Sequence, residues 1–151
     1  MSPAVAPVQK PAFNWPAGIR GAVSITFDDS RPSQVDVGVP LFDRYGARAT
    51  FYVVPAAVQK KQEAWKKAVA TGHEAAAHTI HHPCTCNFGF AALKLEDMTP
   101  EMLEDELTVA NIQIEELVGV KPVSFAYPCG QKYIGRGEQL GAMCRWSRSI
   151  T

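Results

Sequence analysis

Apolar residues in this chain fall into short blocks set off by glycine, proline and acidic residues. Residues 22–27 open after Gly21, close on two aspartates, and are rich enough in β-formers to predict a strand. Residues 49–54, stopped by Pro55, predict a second strand. Residues 74–77 predict a weaker third, and residues 122–127 a fourth. Helical spacing fills the gaps. Residues 41–45 read as the end of a helix, with Pro40 in its first turn and Gly46 as its stop. Residues 62–71, ending at Gly72, place Ala64, Trp65, Ala68 and Val69 on one face. The clearest helix covers residues 100–118, where Leu103, Leu107, Ala110, Ile114 and Leu117 step by fours and threes. Thr99 caps it, Pro100 suits its first position, and Gly119 ends it. Strands alternating with helices predict a parallel α/β architecture without internal repeats.

Composition narrows the function. A chain of 151 residues is long enough for one domain with its own core. Its 15 basic and 15 acidic side chains cancel, with no basic run, which argues against a nucleic acid or anionic membrane surface as partner. No stretch is apolar enough to span a membrane. Residues 1–16 contain Pro3, Pro7, Pro11 and Pro16 and read as an extended arm. They lack the charged start and apolar block of a secretory signal, which leaves the cytoplasm as the default compartment. Cys84, Cys86, Cys129 and Cys144 do not imply a disulfide framework in a chain of this size, and Cys84 and Cys86 read as loop thiols.

The chemistry concentrates in three places. All four histidines, His73, His78, His81 and His82, lie within ten residues. His78 and His82 stand four apart and can face the same way on one turn. Asp28 and Asp29 close the first predicted strand. Imidazoles with a carboxylate suit a first-row divalent metal, and a second carboxylate suits a base for bound water. The blander readings are a surface histidine pair and an aspartate turn cap. A rival metal reading joins His81 or His82 to Cys84 and Cys86 as structural zinc ligands. That spacing is tighter than usual and leaves a fourth ligand unnamed. The segments 28–29, 78–82 and 128–130 each follow a predicted strand, where parallel α/β folds place their ligands.

Thr26-Phe27-Asp28-Asp29, His78-Thr79-Ile80-His81-His82-Pro83 and Phe125-Ala126-Tyr127-Pro128-Cys129-Gly130 together resemble the polysaccharide deacetylases, the NodB-homology proteins of carbohydrate esterase family four. The resemblance runs from about residue 15 to about residue 137. It implies a distorted (β/α) barrel with fewer than eight strands, incomplete at its C-terminal end. Residues 17–137 would form the deacetylase-like domain, and 138–151 an atypical tail. It further implies that Asp29, His78 and His82 hold a divalent metal, zinc foremost, with cobalt, nickel or manganese as alternatives. Asp28 would be the general base, and the Thr79 hydroxyl would brace the histidine loop. Tyr127, Pro128, Cys129 and Gly130 would line the substrate and oxyanion site, with the Cys129 backbone N–H facing the oxyanion. His73 and His81 match no ligand position and read as structural. The expected reaction is hydrolysis of acetyl groups, mainly N-acetyl, from a carbohydrate by metal-activated water.

Two departures stand out. Ala126 occupies the position where the common form of the third motif has an arginine that pairs with the base. The family's later motifs, including a histidine that acts as general acid, have no counterpart: no histidine follows His82. A truncated, weakly active or inactive metal- or glycan-binding module is therefore the alternative expectation.

Overall fold

The computed structural model describes residues 14–135. Most of the N-terminal arm and the tail expected over 138–151 lie outside them. The fold is α/β and parallel. Strands β1 (Thr26–Asp28), β2 (Thr50–Val53) and β3 (Glu74–Ala77) form a sheet in that order, with Phe27 opposite Phe51 and Tyr52 opposite Ala76. A π-helical turn, Gln34–Gly38, runs into α1 (Val39–Arg44), which connects β1 to β2. Helices α2 (Pro55–Gln59) and α3 (Gln62–Ala70) connect β2 to β3. Helix α4 (Pro100–Val118) packs on α2, α3 and β3.

Alternation of side chains across the pleat turns one face of this sheet to the core. Phe51 and Val53 point from β2 into a core shared with Val39, Val58, Trp65, Ala68 and Ile114. Phe51 stacks on Phe27 and meets the Trp65 ring edge-on. Burying a side chain of this size stabilises by roughly 1.5–3 kcal/mol. A second cluster, Leu95, Met98, Leu103, Leu107 and Ile134, lies under the loop that follows the histidines. Phe125 touches both clusters.

Helix α4 has the bounds and caps that its periodicity predicts. Thr99 accepts the Met102 N–H, Pro100 occupies the first turn, and Gly119 closes the helix at φ 82°. Other elements differ from the expectation. The first strand begins at Thr26, not at 22, and Val23 is exposed, because pairing with β2 starts only at Ile25–Thr50. The fourth strand contracts to one parallel bridge, Phe125 with Ala77. Pro122 has no N–H to give, and β3 ends at Ala77, so the ladder cannot lengthen. The helix expected at 41–45 starts earlier, through the π-helical turn, and α2 was not foreseen. Cys84 and Cys86 are not a pair of loop thiols: Cys84 is buried and disulfide-bonded to Cys129. Their separation of 45 residues hid that partnership from the sequence.

Candidate metal centre

The C-terminal ends of β1 and β3 lie on the same side of the sheet because the strands are parallel. Asp29 follows β1, while His78 and His82 follow β3. The Asp29 Oδ1 atom lies 3.2 Å from His82 Nε2 and 3.7 Å from His78 Nε2. The two imidazoles meet edge to face at 4.8 Å. One donor atom from each of the three residues falls within 4.8 Å of the others. A tetrahedral ion with bonds of about 2.0–2.1 Å would separate its donors by about 3.3 Å. The donor set and its spacing therefore fit one divalent ion with little movement.

The supports around these donors are specific. His78 is buried, and its Nδ1 lies 2.9 Å from the Ala126 carbonyl oxygen. Donation of Nδ1–H to that carbonyl leaves the Nε2 lone pair aimed at Asp29, the usual outer support of a metal-binding histidine. Burial depresses the His78 pKa below its ordinary value, which keeps the ring neutral and able to ligate. The Ala126 hydrogen bond opposes that shift, and His82 reinforces it. Thr79 is buried; its hydroxyl donates to the His78 carbonyl at 2.6 Å and accepts the His82 N–H at 3.1 Å. Arg31, largely exposed, stands 3.4 Å from Asp29 Oδ2.

Backbone conformation marks the same place. Asp29, Ser30, Thr79, His82 and Cys129 have φ between 52° and 75°, and they are the non-glycine residues with positive φ among the described residues. Each such conformation costs roughly 1–3 kcal/mol and persists only where its surroundings impose it. Here those surroundings include the Ser30 hydroxyl, which accepts the Val54 N–H at 2.8 Å, and the Thr79 bonds. All five strained residues sit in or beside the three motifs.

The remaining candidates divide. Asp28 is exposed at the end of β1, and its carbonyl receives Gln34 Nε2 at 2.5 Å. Its charge acts on His78. Pro128, Cys129 and Gly130 form a short 3-10 turn, with the Cys129 sulfur within 4.8 Å of a His82 ring nitrogen. Tyr127 meets Phe125 edge-on and packs on the second cluster. His73 is buried in the core, accepts the Ala49 N–H at 3.2 Å, and lies 3.4 Å from Asp43. His81 turns away from the donors to Glu106. Cys86 is an exposed thiol whose pKa the adjacent Glu96 carboxylate pushes up. It does not join the histidines in a zinc site.

One residue escaped the sequence reading. Glu106 is buried on α4, and its Oε2 accepts the N–H groups of both Ile80 and His81. A charged residue between Leu103, Leu107 and Ala110, on the apolar face of an amphipathic helix, was the available signal. Beyond the three donors opens a cavity of about 630 Å³ lined by Asp29, Arg31, Lys60, His82 and Phe90. That volume suits a small-molecule ligand.

Comparison with known proteins adds independent information. The family model for polysaccharide deacetylase matches residues 17–136. A gellan lyase from Bacillus sp. is 27% identical over 116 residues, spanning 77% of this chain and 4% of that protein. The Xyl-CE4 domain of a multidomain xylanase from the hindgut metagenome of Trinervitermes trinervoides is similar in structure. Its TM-score is 0.60 at 24% identity, over 71% of this chain and 48% of that one. The Streptococcus pyogenes deacetylase PplD, in complex with acetate, gives a TM-score of 0.68 at 19% identity, over 88% of this chain and 54% of that one. The chain thus spans about half the length of these solved relatives, and its parallel sheet is part of their (β/α) barrel fold.

Proposed function

Because the chain belongs to the polysaccharide deacetylase family, we propose that it removes acetyl groups, mainly N-acetyl, from a carbohydrate by metal-dependent hydrolysis. The observation that carries this reading is the convergence of Asp29, His78 and His82 within 4.8 Å. Those three residues would hold a divalent ion, zinc foremost. Such an ion, when bound, lowers the pKa of water and polarises an acyl carbonyl.

The chain's own residues do the rest. Ala126 and Thr79 hold His78 and His82 in place, so little reorganisation is needed on binding. Asp28, exposed beside the donors, removes a proton from the attacking water. The Cys129 backbone N–H receives the developing oxyanion, and Pro128 and Gly130 shape the turn that presents it. No covalent intermediate is needed, and the Cys129 sulfur is engaged with Cys84. Tyr127, packed on Phe125, anchors that turn from behind. The adjacent cavity accommodates the sugar, with Phe90 as an apolar wall.

The test is acetate release from N-acetylglucosamine oligomers, measured with and without added zinc or cobalt. Release that requires metal and is lost in Asp28→Asn supports the proposal. Undiminished release in Asp28→Asn would remove Asp28 as the base. Stoichiometric metal with no acetate release would instead favour a metal- and glycan-binding module.

A further inference from the structure

The two nitrogens of His82 face two different sets of donors. Its Nε2 lies 3.2 Å from Asp29 Oδ1. Its Nδ1 lies 3.6 Å from the Cys84 sulfur. A ring nitrogen of His82 and the sulfurs of Cys84 and Cys129 all fall within 4.8 Å of one another. In a tetrahedral zinc site, bonds of about 2.3 Å to sulfur and about 2.0–2.1 Å to nitrogen separate the two donors by about 3.6 Å. The His82 Nδ1–Cys84 Sγ spacing is that distance. The bond between the two sulfurs prevents their use as ligands.

We infer that opening the Cys84–Cys129 disulfide creates a second, thiolate-rich site for zinc or a similar soft divalent ion, built from His82, Cys84 and Cys129. The inference does not depend on the deacetylase reading. A dithiol reductant opens the bond: one of its thiolates attacks a cysteine sulfur, and its second thiol resolves the mixed disulfide. The reductant leaves as its own disulfide, and Cys84 and Cys129 become two thiols. Metal binding then releases their two protons.

This site competes with the first. A neutral imidazole has one lone pair for a metal. When His82 ligates through Nε2, its Nδ1 carries the proton; when it ligates through Nδ1, the reverse holds. A filled thiolate site therefore takes His82 away from Asp29 and His78. The oxidised chain keeps His82 for the first centre. Disulfides persist in oxidising compartments and open in reducing ones, so the thiol environment selects the site that is filled.

The experiment uses the full chain carrying Cys86→Ser and Cys144→Ser, so that no other thiol contributes. Cobalt is added to oxidised and dithiol-reduced protein, and sulfur-to-cobalt charge-transfer absorption is recorded. The expected result is absorption only after reduction. It persists with His78→Ala, which damages the first centre alone, and is lost with Cys129→Ser and with His82→Ala. No absorption after thiol titration has confirmed two new thiols would overturn the inference. Absorption indifferent to His82→Ala would also overturn it, because thiolates of an unfolded chain would bind cobalt without that ring.

Discussion

The Glu106 carboxylate receives the backbone N–H of His81 at 2.9 Å, and the same oxygen receives that of Ile80 at 3.0 Å. One buried side chain on α4 thereby fixes the middle of the loop whose ends are His78 and His82. Two consecutive amides converging on one oxygen can be satisfied by few other groups. Glu106→Ala would strand both donors at a cost of roughly 2–4 kcal/mol. Glu106→Gln keeps an acceptor and should lose less. Denaturant midpoints with chelated protein would measure both. Equal midpoints for wild type and Glu106→Ala would show that the loop holds itself.

The four histidines should separate cleanly by metal content. His78→Ala and His82→Ala should each lose stoichiometric zinc, because each removes one of three donors. His73→Ala should keep zinc but lose stability, since its ring is packed against Phe42 and Phe51 and bonded to the Ala49 N–H. His81→Ala should keep zinc, its ring being largely exposed and directed to Glu106. Elemental analysis of dialysed protein checks all four. Equal zinc in every variant would place the ion elsewhere.

How much of this was legible in the sequence follows from how local each signal is. The bounds and caps of helix α4 were legible because periodicity, the Thr99 cap and Gly119 all lie within one segment. The alternation of strand and helix gave the parallel sheet, and with it the side on which Asp29, His78 and His82 meet. What failed was non-local. The fourth strand reads well alone, yet its ladder depends on where β3 stops. The Cys84–Cys129 bond and the reach of Glu106 across 25 residues to His81 depend on chain packing that no spacing rule encodes. The positive φ at β-branched Thr79 runs against its intrinsic preference, and such local conflict is expected at functional sites.

Acid should weaken the metal-free protein through His78. Burial holds its pKa below the ordinary value of 6.5. Between that value and the lower folded one, the unfolded chain binds a proton that the folded chain refuses. Stability is therefore flat above about 6.5 from this group and falls as pH drops toward the folded value. Replacing His78 with Gln should flatten that part of the profile. Urea midpoints measured across pH 7.5 to 5, roughly spanning the histidine range, would show it. An unchanged slope in His78→Gln would assign the acid sensitivity to other groups.

The disulfide should contribute to stability as well as to metal choice. It closes a loop of 45 residues that joins the histidine loop to the 128–130 turn. Loop-closure entropy for that length corresponds to about 4 kcal/mol at 25 °C, with measured cases commonly at 2–4. In the Cys86→Ser, Cys144→Ser background, reduced protein and its Cys129→Ser variant should therefore unfold at the same lowered urea concentration. Zinc should then restore more of the loss in the reduced protein than in Cys129→Ser, which retains only the first centre. That difference separates the entropic role of the bond, which serine removes equally, from the ligand role of the two thiols, which serine abolishes. Identical zinc responses in the two samples would leave the disulfide a purely structural link.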